Sequence, residues 1–157
     1  MTTEEDLVVA LIGFFDSARP VGFPAAGIVP CLNVLTGAKR VSPCLLWEVE
    51  DSEESIPLTG NMDIQLLATL ITPIRGKDAV TDADHRAYAG LLQNWLRQDV
   101  DIKAAINYTG EPDNRAVNPF HLYQIYVMSG IPEPTKYGKH LATMVRVRAI
   151  CIQANAG

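Results

Sequence analysis

Asp82-Ala-Asp84-His85 holds the densest chemistry in this chain. Two carboxylates beside an imidazole can exchange protons or ligate a metal. The same residues also suit a helix start: acids in a first turn favour the helix dipole, and Thr81 with Asp84 has the spacing of a capping box. His85 then falls beside the apolar face of that helix, so the expectation is structural. His121 and His140 stand alone in strand-like segments, with no serine or cysteine in a nucleophile setting such as G-x-S-x-G. Gly22, Gly27 and Gly37 follow no phosphate-binding pattern, and Lys136-Tyr-Gly-Lys139 does not complete one. Cys31, Cys44 and Cys151 are too widely spaced for a chelating pair and sit in apolar stretches, which fits buried free thiols. The expectation is no catalytic residue, no cofactor and no metal. The alternative from another class is a small enzyme or ligand-binding domain built on Asp82, Asp84 and His85, with a pocket beside the second helix.

Phe120, Tyr123 and Tyr126, with Arg146 and Arg148 later, have the residue types of a base-stacking platform. Strands use aromatic residues in any case, and a formal net charge of −5 supplies no basic field to hold nucleic acid. No specific nucleic-acid binding is expected. Met1-Thr-Thr-Glu-Glu-Asp lacks the cationic start of a secretory signal, and no run is apolar enough to span a membrane. No membrane partner is expected, and the protein is expected to be cytosolic. Apolar residues at 48% and charged residues at 20% of 157 positions are what one folded domain needs, so residues 1–157 are expected to form a single unit.

Several elements would position these groups. Leu7, Ala10, Leu11, Phe14 and Phe15 recur at helical spacing within residues 3–17, and Glu4, Glu5 and Asp6 fill the first turn. A second helix is expected over residues 82–97, with Tyr88, Leu91, Leu92, Trp95 and Leu96 inward and Arg86, Gln93 and Arg97 elsewhere. Residues 44–50 and 62–72 read as a β-hairpin across an acidic, solvated loop at Asp51–Ser55, and residues 120–128 and 140–153 as a second. Residues 28–36 suit a short edge segment because Pro30 cannot donate to a ladder. A helical turn is expected over residues 102–106 and a polar loop over 110–118. The fold class is therefore α+β: a four-stranded, mainly antiparallel sheet with two principal helices packed on one face.

The other face does not alternate cleanly to polar. In the last strand Met144, Ile150 and Ile152 share a side with Arg146 and Arg148, and in the strand from Met62 Leu67 and Ile71 lie opposite Ile64, Leu66, Ala68 and Leu70. A sheet with one face in water would show cleaner alternation, so a second subunit is expected on that side. Leu67, Ile71, Met144, Arg146, Arg148 and Ile150 are the candidates for subunit contact or for lining a lumen.

The order of pieces resembles the tail terminator proteins of long-tailed phages. The resemblance is carried by the acidic N-terminal helix, Ser42-Pro-Cys-Leu-Leu-Trp-Glu-Val-Glu50, Thr59-Gly-Asn61 opening an apolar strand, Asp82-Ala-Asp-His-Arg-Ala-Tyr-Ala-Gly-Leu-Leu92, and Thr143-Met-Val-Arg-Val-Arg-Ala-Ile150. It covers nearly the whole chain and rests on element order rather than an invariant chemical signature. It implies a structural virion protein, not an enzyme, assembled in the host cytoplasm into the tail or neck. The implied assembly is a homohexameric ring that caps the tail tube protein, stops its polymerisation and presents a joining surface to a neck or head-completion protein. DNA would only pass through the lumen. A head-completion or neck connector is the alternative within this class.

Overall fold

The computed structural model describes residues 3–34, 41–56, 61–107, 120–128, 130 and 133–153. The expected loop at 110–118 lies outside them, as do Thr2, Thr59 and Gly60. The described elements run α1 (Thr3–Ser17), β1 (Cys31–Asn33), β2 (Cys44–Ile56), β3 (Asn61–Pro73), α2 (Asp82–Leu96), α3 (Asp99–Ile106), β4 (Phe120–Val127), β5 (Thr135–Tyr137) and β6 (His140–Gln153). They form an α+β fold around a six-stranded mixed sheet ordered β1-β2-β3-β6-β4, with β5 beside the start of β6. Only β1 runs parallel to its neighbour; all other pairings are antiparallel.

The four expected strands are the four long ones, and both expected helices form. Four features differ from the sequence expectation. Asp51–Ser55 belongs to β2 rather than to a loop, because a strand with a solvated edge can keep pairing with β3 while its acids stay in water. The short strands β1 and β5 enlarge the sheet from four strands to six, and the helical turn expected at 102–106 is the end of a two-turn helix, α3. Gln93 is fully buried rather than turned outward.

One face of the sheet makes the core. Leu7, Val8, Leu11 and Phe15 of α1, Leu92, Trp95 and Leu96 of α2, and Ile102 and Ile106 of α3 pack on Trp47, Ile64, Leu66, Leu70, Val145 and Val147. All three helices contribute to this cluster, so the helical layer lies on a single side. The loop between α1 and β1 is held by Arg19. Its guanidinium donates to the carbonyls of Pro24 and Val29, both at 2.8 Å, pairs with Asp16 at 2.6 Å, and lies over the rings of Phe15 and Phe23. Gly22 takes φ +93° there, and a Cβ would sit 3.4 Å from Leu91, so both conformation and space favour glycine.

The two long edges of the sheet are treated differently. On β4 the amide of Leu122 donates to Asn107, whose side-chain amide donates back to the Leu122 carbonyl, and the amide of Ile125 donates to Asp99. These side chains, at the two ends of α3, occupy backbone groups of Leu122 and Ile125 on that strand. On β2, β1 pairs only with Leu45–Trp47, and from Glu48 onward no strand lies alongside among the described residues.

Candidate functional site on the outer face of the sheet

The acids and the imidazole at the start of α2 are turned apart. Thr81 caps the helix, its hydroxyl accepting from the Asp84 amide at 3.1 Å, and Asp82 pairs with Arg86 one turn on at 2.8 Å. His85 points the opposite way, into the protein. It is fully buried, with Nδ1 2.7 Å from the Thr72 hydroxyl on β3 and Nε2 2.7 Å from the Thr143 hydroxyl on β6. A neutral imidazole satisfies this geometry, accepting from one threonine and donating to the other. The three residues do not converge on a cavity. Thr81→Ala is expected to cost about 1 kcal/mol of stability, read from urea denaturation, through loss of the cap.

Burial, outweighing the opposing pull of Asp82 and reinforced by Arg86, pushes the His85 imidazole below its ordinary value of 6.5. The unfolded chain therefore takes up a proton at a higher pH than the native one. His85 contributes stability that is full above 6.5 and is lost as pH falls through the lower native value. Thermal denaturation between pH 7 and 5 should show this slope. A His85→Asn variant, less stable at every pH, should lack that component.

The cysteines are buried packing groups. Cys44 and Cys151 are buried and Cys31 is partly so, all as free thiols. Burial is the main cause pushing both Cys31 and Cys151 up to about 12, which keeps them protonated and unreactive. Among the described residues no three His, Cys, Asp or Glu side chains are grouped to hold a metal, and no helix is long and apolar enough to cross a membrane.

The face away from the helices is graded along the strands. Its rows follow from register: Cys44–Ile71–Ala142, then Leu46–Thr69–Met144, then Glu48–Leu67–Arg146, then Asp51–Gln65–Arg148–Tyr126, then Glu53–Asp63–Ile150–Gln124. The first two rows are largely apolar and the last two largely polar. All six candidates from the sequence lie here. Leu67 is 8% exposed, Ile71, Met144 and Ile150 are half-buried, and both arginines have partners.

Those partners lie within the chain. Arg146 reaches both carboxylate oxygens of Glu50 at 3.2 Å; Glu50 is the extra residue at the register shift between Val49 and Asp51. Arg148 clasps Asp63 through two nitrogens and donates to the Tyr126 hydroxyl at 3.0 Å. Hydrogen bonding to Arg148 holds the Asp63 carboxyl below the usual carboxylate range. The arginines thus neutralise acids of their own sheet, and Tyr126 serves that pairing rather than a stacking platform. Of the other two aromatics in that platform, Phe120 is buried and Tyr123 is exposed.

The apolar end contains a cavity of about 470 Å³, within the size range of ligand-binding clefts. Leu46, Glu48, Thr69, Ile71, Ala142 and Met144 form its floor, and Val41, Ser42, Tyr137 and His140 its sides. Sequence reasoning placed Ile71 and Met144 on this face but not the groove, whose sides come from the segment before β2 and from the β5–β6 hairpin. The nearest signal was Gly138, whose φ of +57° suits the tight turn that folds β5 back on β6. No protein-family model and no curated protein matches this chain.

Proposed function

We propose that this chain is a structural assembly protein that closes with copies of itself into a ring at the end of a phage tail tube, as a tail terminator. The observation that carries the proposal is the outer face of the sheet. A mainly antiparallel sheet whose second face meets only water keeps that face polar. Here it leaves Ile71, Met144 and Ile150 only half-buried and Ile152 37% exposed, with Val41 and Tyr137 50% and 55% exposed beside an open apolar groove, and no helix is laid over them among the described residues. Covering such a face with the next subunit removes apolar surface from water, and a head-to-tail contact of this kind closes when its rotation does.

The reading is further supported by what the remaining groups do. His85 is engaged in sheet packing and Asp82 in an ion pair with Arg86, while the Asp84 amide is held by the Thr81 cap, and on the polar end of the face Arg146 and Arg148 are both paired with acids. A surface of that kind suits a passage that DNA must traverse without sticking. Light scattering over a concentration series at two salt levels tests the reading. The expected result is a mass rising toward a ring of about six subunits, a closed cyclic arrangement. A mass that stays monomeric at every concentration, with and without tail tubes, overturns it.

A further inference from the structure

We infer that the outer-face groove receives an apolar segment of a partner chain carrying one lysine or arginine, whose cation pairs with Glu48. The inference rests on the assembly reading above and specifies what enters the uncovered face.

Glu48 differs from its neighbours. Five acids of the outer face are described: Glu50 holds Arg146, Asp63 holds Arg148, Asp51 accepts from the Ser52 amide and Glu53 is exposed, whereas Glu48 is half-buried in the groove with no side-chain ion-pair or hydrogen-bond partner among the described residues. Register explains the difference. Glu48 shares a row with Leu67 and Arg146, but the extra residue at the β2 irregularity swings Glu50 toward that arginine and claims it. The remaining carboxylate is half-buried on the floor of an apolar groove.

A carboxylate in such a place loses hydration without gaining a counter-ion, an arrangement that favours an incoming cation. The groove offers two further polar groups. The Ser42 hydroxyl is buried with no hydrogen-bond partner among the described residues, and Thr69 also lines the groove. Leu46, Ile71, Ala142, Met144 and Tyr137 supply apolar contact on either side. The charge, the orphan hydroxyl and the flanking apolar walls together match a basic side chain between apolar neighbours on an extended segment.

The test uses fluorescein-labelled Val-Leu-Lys-Leu-Val, and the same peptide with glutamate or norleucine in place of lysine, titrated with the full chain and followed by anisotropy. Saturable binding of the lysine peptide is expected, weakened about tenfold by norleucine or by Glu48→Gln, the loss of one charge-assisted contact. Ala142→Met, which fills the groove from the outer face without touching the helical core, is expected to abolish binding while circular dichroism stays unchanged. Equal binding of the lysine and norleucine peptides, binding unaffected by both substitutions, or no saturable binding overturns the inference. So does hexylamine competing as well as the peptide, which would make this a small-amine site. Light scattering on the same samples separates the two readings. Rings that ignore the peptide overturn only this inference, whereas a bound peptide on a permanent monomer overturns only the ring.

Discussion

Replacing Phe15 by alanine is expected to lower the unfolding free energy by about 3–5 kcal/mol, the range for deleting a fully buried aromatic ring. Phe15 has no exposed surface, and its ring meets three others: Trp95 at 4.9 Å, Phe23 at 5.3 Å and Trp47 at 5.9 Å between centroids, each in an edge-on or steeply tilted arrangement. Arg19 covers it with its guanidinium carbon 5.1 Å from the ring centre. These contacts join α1 to the sheet through Trp47, to α2 through Trp95, and to the loop before β1 through Phe23 and Arg19. One deletion therefore loosens three junctions at once. Domains of this size have about 5–15 kcal/mol in total, so the variant should unfold at a much lower urea concentration with an unchanged slope. A midpoint within error of the parent would mean that the aromatic cluster is not the centre of the core.

Ile71→Glu combined with Met144→Glu is expected to abolish self-assembly while leaving the protomer folded. Both residues line the groove on the outer face and neither belongs to the helix-side core, so the acids stay in contact with water in the monomer. In an interface they would be desolvated without partners, and central apolar contacts of this kind are worth about 2 kcal/mol or more each. The expected result is a monomeric mass at concentrations where the parent chain reaches the proposed ring mass, with superimposable far-ultraviolet circular dichroism. Val100→Glu is the matched control, since Val100 is 75% exposed on α3, on the other side of the sheet. A double variant that still assembles places the interface elsewhere and removes the main support for the ring.

The elements that were legible in the sequence were the long ones. Apolar spacing marked α1 and α2, and alternation marked β3 and β6, because each runs through several periods. β1 and β5 have three residues each, too few for any period to show; β1 was legible only as the short edge segment that Pro30 implied, and β5 not at all. The acidic run in β2 misled because charge reports contact with water, not backbone conformation, and an edge strand meets both conditions. Gln93 misled because polarity alone does not report which way a helical residue faces, and this one is fully buried. The shared face of Leu67, Ile71, Met144, Arg146, Arg148 and Ile150 followed from strand parity alone, since β3 and β6 pair without a register shift. Their partners did not. The irregularity at Glu50 resets parity within β2, and only that reset decides which acid takes Arg146 and which is left over.

The contrast between the two edges of the sheet has a bearing on how copies of this chain can meet. Fibril-like growth by strand addition needs each copy to expose both a vacant receiving edge and a vacant giving edge. Along β2 no strand among the described residues lies on the outer side past Trp47, where the edge is fringed by carboxylates, but along β4 Asp99 and Asn107 already hold the backbone of Leu122 and Ile125. A strand can be taken in on one side with no matching offer from the other long edge. Among the described residues that matching offer is blocked at Leu122 and Ile125, and the assembly proposed above would pass through side-chain surfaces, whose geometry can end it at a finite count.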